Sequence, residues 1–233
     1  MDIQILHLIE GAKKAKGITV IIDVFRAFSV EAYLAAAGAG RIMPVAGAEI
    51  PLEYKKTHPD AVIVGERNGV KLPGFDFGNS PTQIEGCDIA GRDVLHTTSA
   101  GTQGIANATG AKEILTGSLV NASAIARYIL RSGVEQVSLV AMGLAGERDT
   151  DEDLLCAEYI KSILLKEPMS REELHARIEA IKSTDGAKFF DPDNQEVFPE
   201  GDFYRSTDVD RFSFVLRLKK AEPYDYVEKI DVL

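Results

Sequence analysis

The chain has 233 residues, 45% hydrophobic and 27% charged, enough to bury a sizeable core and too apolar for extended disorder. Its net charge of −10 disfavours a polyphosphate partner, and no basic stripe offsets it, so nucleic-acid binding is not expected. No apolar run is long enough to cross a bilayer, and MDIQILHLIEG has neither basic leader nor cleavage site. Cys87 and Cys156 form no CxxC or Cys/His cluster. A cytoplasmic protein without membrane span, disulfide or structural zinc is expected.

Residues 3–8 form a short apolar run, and residues 18–24 a stronger β-branched one containing Asp23. Residues 27–38 have helical composition and stop at a glycine. A strand is expected at 41–45, a helix at 49–57 and a strand at 61–64. Residues 68–81, with three glycines and two prolines, read as loop. Strands follow at 93–96, 113–115 and 136–141, with helices at about 103–108, 122–130 and 151–165. Residues 170–181 read as a helix with a Ser170-x-x-Glu173 capping signature, and residues 185–203 as irregular. Strands close the chain at 212–218 and 226–232.

Strands alternating with helices predict an α/β fold with a mostly parallel sheet and helices on both faces. The strands are continuous apolar runs, as buried parallel strands should be. The last third is expected to be a C-terminal α+β segment over one end of the sheet, within one domain spanning 1–233.

Ligands of open α/β sheets bind beyond the carboxyl ends of the strands. There this sequence places Asp23 and Arg26, Glu66 and Arg67, Thr97 to Thr102, Ser118 and Asn121, then Gly143, Glu152 and Asp153. Asp23, Glu66, Glu152 and Asp153 are hard oxygen ligands of the kind Mg²⁺ takes. Arg26 and Arg67 can fork onto phosphate or carboxylate oxygens, and the Thr97-Thr98-Ser99-Ala100-Gly101-Thr102 turn offers hydroxyls and N–H groups to an anion. The set suits phosphoryl transfer. Each piece also has a structural reading as a cap, an ion pair or a solvated first turn. His96 lies near the same edge and is expected to pack or cap. No GxGxxG follows the early strands, which disfavours a dinucleotide-binding enzyme.

The pieces IDVFRAFS, GERNGVKLPGFDFGNSP, HTTSAGT, GSLVNA and GLAGERDTDEDLLCAEY occur in order between Ile22 and Tyr159. In them the chain resembles the 2-phosphosulfolactate phosphatase family, Mg²⁺-dependent hydrolases that release phosphate and sulfolactate on the route to coenzyme M. The resemblance implies a small phosphate ester as substrate. It adds Asp76, Asn79, Ser80 and Asn121 to the candidate site. Asp23, Arg26, Glu66, Arg67, Thr98 and Thr102 are expected to be catalytic. Asn79, Ser80, Thr97, Ser99, Gly101 and Asn121 are expected to bind substrate. Asp23 with one or two of Glu66, Glu152 and Asp153 would hold the metal, Arg26 and the Thr97/Thr98/Thr102 turn the phosphoryl oxygens, and Arg67 a distal acid group. Phe28-Ser29 and Ala100 depart from the family pattern and are expected to strip polar groups from phosphate-facing loops, which puts the substrate in question. The alternatives are a non-catalytic or diverged anion-binding protein, and attack by water or by the Asp23 carboxylate. A partner subunit could complete such a pocket, so a homodimer is an option.

Overall fold

The computed structural model describes residues 1–232. In chain order the elements are β1 (Asp2–His7), α1 (Leu8–Lys14), β2 (Gly17–Ile22), α2 (Ala27–Ala36), β3 (Ile42–Pro44), α3 (Glu49–Thr57), β4 (Val62–Arg67), β5 (Val70–Lys71), α4 (Pro81–Ile84), β6 (Val94–Thr97), α5 (Gly101–Asn107) and β7 (Ala111–Gly117). Then come α6 (Ala122–Ser132), β8 (Gln136–Ala141), α7 (Asp151–Leu164), α8 (Arg171–Ile181), α9 (Glu200–Ser206), β9 (Phe214–Lys219) and β10 (Tyr226–Asp231). Short 3-10 turns precede α6 and fill part of the stretch before α9. Among the described residues no helix is long and apolar enough to cross a membrane.

One ten-stranded sheet runs β1-β8-β2-β7-β9-β10-β3-β6-β4-β5. The α/β reading holds, with two parallel sets, β1-β8-β2-β7 and β3-β6-β4. β2 is buried at all six positions and carries helices on both faces. Its Ile18, Val20 and Ile22 pack with α6 and α7, whereas Ile21 packs with α1 and α5.

The C-terminal segment divides, which corrects its expected place over one end of the sheet. Only the part from α8 to α9 lies over strand ends. β9 and β10 enter the middle of the sheet as an antiparallel pair joining the two parallel sets. Sequence order gives no hint of this, because the strands with the latest positions fill the gap between β7 and β3.

Through that antiparallel pair, β3, β6 and β4 run opposite to β1, β8, β2 and β7. In a flat sheet their carboxyl ends would fall on opposite edges. β10 meets β3 through the single pair Val227–Ile42, and α2, buried from Ala27 to Ala35, lies between the halves. The sheet curls about α2, so both sets of carboxyl ends reach one cavity. A mostly apolar helix whose few polar groups, Ser29 and Glu31, are buried too is stable only when enclosed in this way.

Two stretches read as irregular contain structure. Asn68 and Gly69, with φ of 54° and 82°, turn β4 into β5, pairing Arg67 with Val70. Asn-Gly is the pair a two-residue hairpin demands, a signal hidden among the other glycines and prolines. α9 begins inside the other stretch. α8 starts as expected, with Ser170 Oγ accepting from the Glu173 N–H at 3.1 Å.

Candidate active site

The cavity, of about 510 Å³, lies where the two sets of strand ends meet. β2 leads to Asp23, Phe25 and Arg26; β4 ends at Glu66, followed by Asn68 and Gly69; the β6–α5 turn brings Ser99 and Ala100. The segment after β8 brings Gly143, Arg148, Glu152 and Asp153. Thr184, Asp185, Lys188 and Phe198 cover them from the C-terminal segment.

Asp23 is buried, and its Oδ1 accepts from the Ala27 N–H at 3.0 Å. Gly101 lies against Oδ2, where a Cβ would sit only 3.0 Å away. Burial, reinforced by the charge of Glu66, pushes the Asp23 carboxyl up to about 6 against the pull of the Ala27 N–H. Asp153 is also buried. Its Oδ1 accepts from the Val24 N–H at 2.7 Å and its Oδ2 from the Gly143 N–H at 2.8 Å. Gly143 allows this turn because its φ is +62° and a Cβ there would lie 2.1 Å from the Arg148 carbonyl oxygen. Burial, then the charges of Glu152 and Asp23, holds Asp153 well above the carboxylate range. Glu152, in the first turn of α7, is pushed up to about 7 by burial, with Lys188 opposing. Its Oε2 is buried and has no hydrogen-bond partner.

Glu66 is fully engaged by backbone: Oε1 accepts from Ser99 N–H at 2.6 Å, and Oε2 from Gly69 N–H at 2.6 Å and Ser99 Oγ at 3.1 Å. It ties the β4–β5 hairpin to the β6–α5 turn. Asn79 lines the cavity with its Oδ1 on His96 Nε2 at 3.1 Å, and His96 Nδ1 lies 3.3 Å from Glu31 Oε1. The expected packing role of His96 is thus to hold Asn79.

The arginines depart from expectation. Arg26 Nη1 donates to Asp202 Oδ2 at 2.7 Å and Val197 O at 2.9 Å, Nη2 to Gly69 O at 3.0 Å, and its guanidinium sits 4.9 Å from the Phe198 ring centroid. It borders the cavity with its charge neutralised by a buried carboxylate. Arg67 is outside the cavity lining: it donates to Glu66 O at 2.6 Å, Thr97 Oγ1 at 3.1 Å and Ala46 O at 3.2 Å. Thr98 and Thr102 cap each other at the start of α5, and Thr97 faces Arg67. Ser80 donates to Asp202, Asn121 closes a capping box with Ser118, and Asp76 pairs with Lys55 on the surface. The cavity thus gathers Asp23, Arg26, Glu66, Asn79, Ser99, Glu152 and Asp153. Arg67, Ser80, Thr97, Thr98, Thr102 and Asn121 lie behind it, and Gly101 backs Asp23.

Of the departing positions only Ala100 lines the cavity. Phe28 is buried with Ile21 and Met142, and Ser29 Oγ donates to Val24 O at 2.8 Å and lies 2.7 Å from Ser118 Oγ. The expected loss of polar groups at Phe28 and Ser29 therefore does not touch the cavity. Lys188, Phe198 and the Arg148–Asp185 pair, at 2.6 Å, were absent from the expected site. The only hint of them was the aromatic density of residues 189–203. Among the described residues no group of three or more His, Cys, Asp or Glu side chains is arranged to hold a metal ion.

A family profile described as 2-phosphosulpholactate phosphatase matches residues 3–203. The chain is 32% identical over 216 residues to the "Probable 2-phosphosulfolactate phosphatase" of Bacillus subtilis (strain 168), covering 91% of this chain and 92% of that one. It is 36% identical over 168 residues to the protein of the same name from Carboxydothermus hydrogenoformans, covering 72% and 69%. Fold, carboxylate-lined cavity and relatives together define an α/β phosphoric monoester hydrolase. Within that class the chain belongs to the 2-phosphosulfolactate phosphatase family.

Proposed function

We propose that this chain hydrolyses 2-phosphosulfolactate to sulfolactate and inorganic phosphate, with Mg²⁺ held at the cavity carboxylates. The observation that carries the reading is the buried, unpartnered Glu152 Oε2 beside Asp23 and Asp153. Carboxylates desolvated together, with one oxygen unsatisfied, call for a cation. Asp23 and Glu152 would hold it, since both oxygens of Asp153 and Glu66 already accept N–H groups. Mg²⁺ is often bound by one or two carboxylates plus substrate oxygens and water, which fits a site without a closed cage. Bound there, the ion supplies charge neutralisation at the phosphoryl oxygens.

The chain's own residues do the positioning. Asp153 clamps the backbone after β2 to the turn after β8, fixing Asp23 relative to Glu152. Glu66 fixes the β4–β5 hairpin against the β6–α5 turn, and Asn79 presents its amide from the far wall. Water attacks phosphorus as the bond from phosphorus to the ester oxygen breaks; one proton of the water stays on the phosphate and the other ends on the ester oxygen, which leaves as the hydroxyl of sulfolactate. Thr184, Asp185, Lys188 and Phe198 of this chain cover one side of the cavity.

Phosphate release from sulfonated and carboxylated phosphate esters, with Mg²⁺ and with EDTA, tests the proposal. Release that is fastest on 2-phosphosulfolactate and stops with EDTA is expected. Asp23→Asn should lower kcat by roughly 100-fold or more with the fold retained. Undiminished release with EDTA would remove the metal, and no release from any ester would remove the hydrolase.

A further inference from the structure

Three cationic side chains line the cavity, and two are already paired: Arg26 with Asp202, and Arg148 with Asp185. Among the described residues Lys188 has no hydrogen-bond or ion-pair partner. Its ammonium lies 5.7, 5.4 and 5.6 Å from the ring centroids of Phe25, Phe189 and Phe198. It sits on the 3-10 turn Ala187–Phe190, anchored by the fully buried Phe189. Burial pulls its pKa below the ordinary lysine value, with the charges of Glu152, Asp185 and Asp23 opposing.

An oxyanion entering a cavity lined by five acids needs a counter-charge that is not already neutralised. The arginines the sequence offered do not supply it, because Arg26 is neutralised by Asp202 and Arg67 faces away. A partly desolvated ammonium framed by three rings attracts an oxyanion more strongly than one in water, and needs little ordering to do so. We propose that Lys188 binds the phosphoryl oxygens in the cavity, as a point-charge donor where Arg26 was expected to act. The proposal names the phosphoryl-binding residue of the hydrolase reading and rests on that reading. Its test, however, needs no turnover.

Calorimetric titration of the full chain with inorganic phosphate, in Mg²⁺ buffer near neutral pH, reads the contact directly. Lys188→Met keeps the unbranched stem among the rings, so the fold should survive. It should weaken phosphate binding roughly tenfold or more, the loss expected for one charge-assisted hydrogen bond. Lys188→Arg should restore most of the affinity. Lys182→Met removes one positive charge just past the end of α8, outside the cavity lining, and should change nothing, which separates a contact from a net-charge effect. Equal phosphate affinity for the wild type and a folded Lys188→Met overturns the proposal, as does the absence of saturable binding to the wild type. If Lys188→Met weakens phosphate binding but no ester is hydrolysed, the hydrolase reading fails and the Lys188 contact stands. If esters are hydrolysed and Lys188→Met binds phosphate normally, the reverse holds.

Discussion

Replacing Glu152 by glutamine should stabilise the metal-free protein above neutral pH and leave it nearly unchanged in mild acid. Burial raises this carboxyl from 4.5 to about 7. Because the folded value lies above the unfolded one, the native state binds the proton more tightly. Stability is therefore undiminished below about pH 4.5 and falls as pH rises toward 7, the reverse of a salt-bridged carboxylate. The rise corresponds to roughly 3 kcal/mol of unfavourable ionisation, an upper bound because Asp23 and Asp153 titrate with it. Glutamine keeps the shape without the charge. At pH 8 in EDTA, Glu152→Gln should melt higher than the wild type by up to roughly 6–12 °C, since about 1 kcal/mol shifts a chain of this size by about 2–4 °C. At pH 4, below the unfolded value, the difference should shrink to near zero. Adding Mg²⁺ at pH 8 should raise the wild-type melting temperature and leave the variant nearly where it was. Scanning calorimetry at the two pH values, with and without the ion, gives all four numbers. A melting difference that does not change with pH would refute the claim that burial at Glu152 outweighs the opposing charge of Lys188.

Arg26→Met should destabilise the fold by about 3–5 kcal/mol in denaturant titration, because Asp202, fully buried, loses its counter-ion. Arg67→Ala should change kcat/KM by less than about threefold, since a guanidinium outside the cavity makes no transition-state contact. A large loss would mean that the guanidinium swings inward on binding. Gly143→Ala should cost about 1–3 kcal/mol from its φ of +62°, and more from the contact with the Arg148 carbonyl. It should also lower kcat, because the Gly143 N–H that holds Asp153 must shift.

Much of the fold was legible because its signals are local. β2, β4, β6, β7 and β8 are apolar runs of strand length, and the intervening segments have helical composition. Asp23, Glu152 and Asp153 were legible as cavity-lining residues because they follow a strand or open a helix, and the chain's own direction delivers such positions to a strand's carboxyl end. Arg67 and the threonines obeyed the same rule and still face away. Position along a strand end fixes the neighbourhood of a side chain but not the side to which it turns.

What required the tertiary structure is whatever depends on partners distant along the chain. Arg26 follows Asp23 by three residues, yet its charge is neutralised by Asp202, 176 positions on. Lys188 lies in a stretch with no periodicity and enters the cavity only because Phe189 and Phe203 anchor that stretch. The placement of β9 and β10 between the parallel sets curls the sheet and brings the ends of β4 and β6 to those of β2 and β8. The residues thus specified each strand and the acids at its end. Strand pairing and long-range ion pairs decided which of those acids share a cavity and which cation remains free within it, because those energies exist only once the chain has closed on itself.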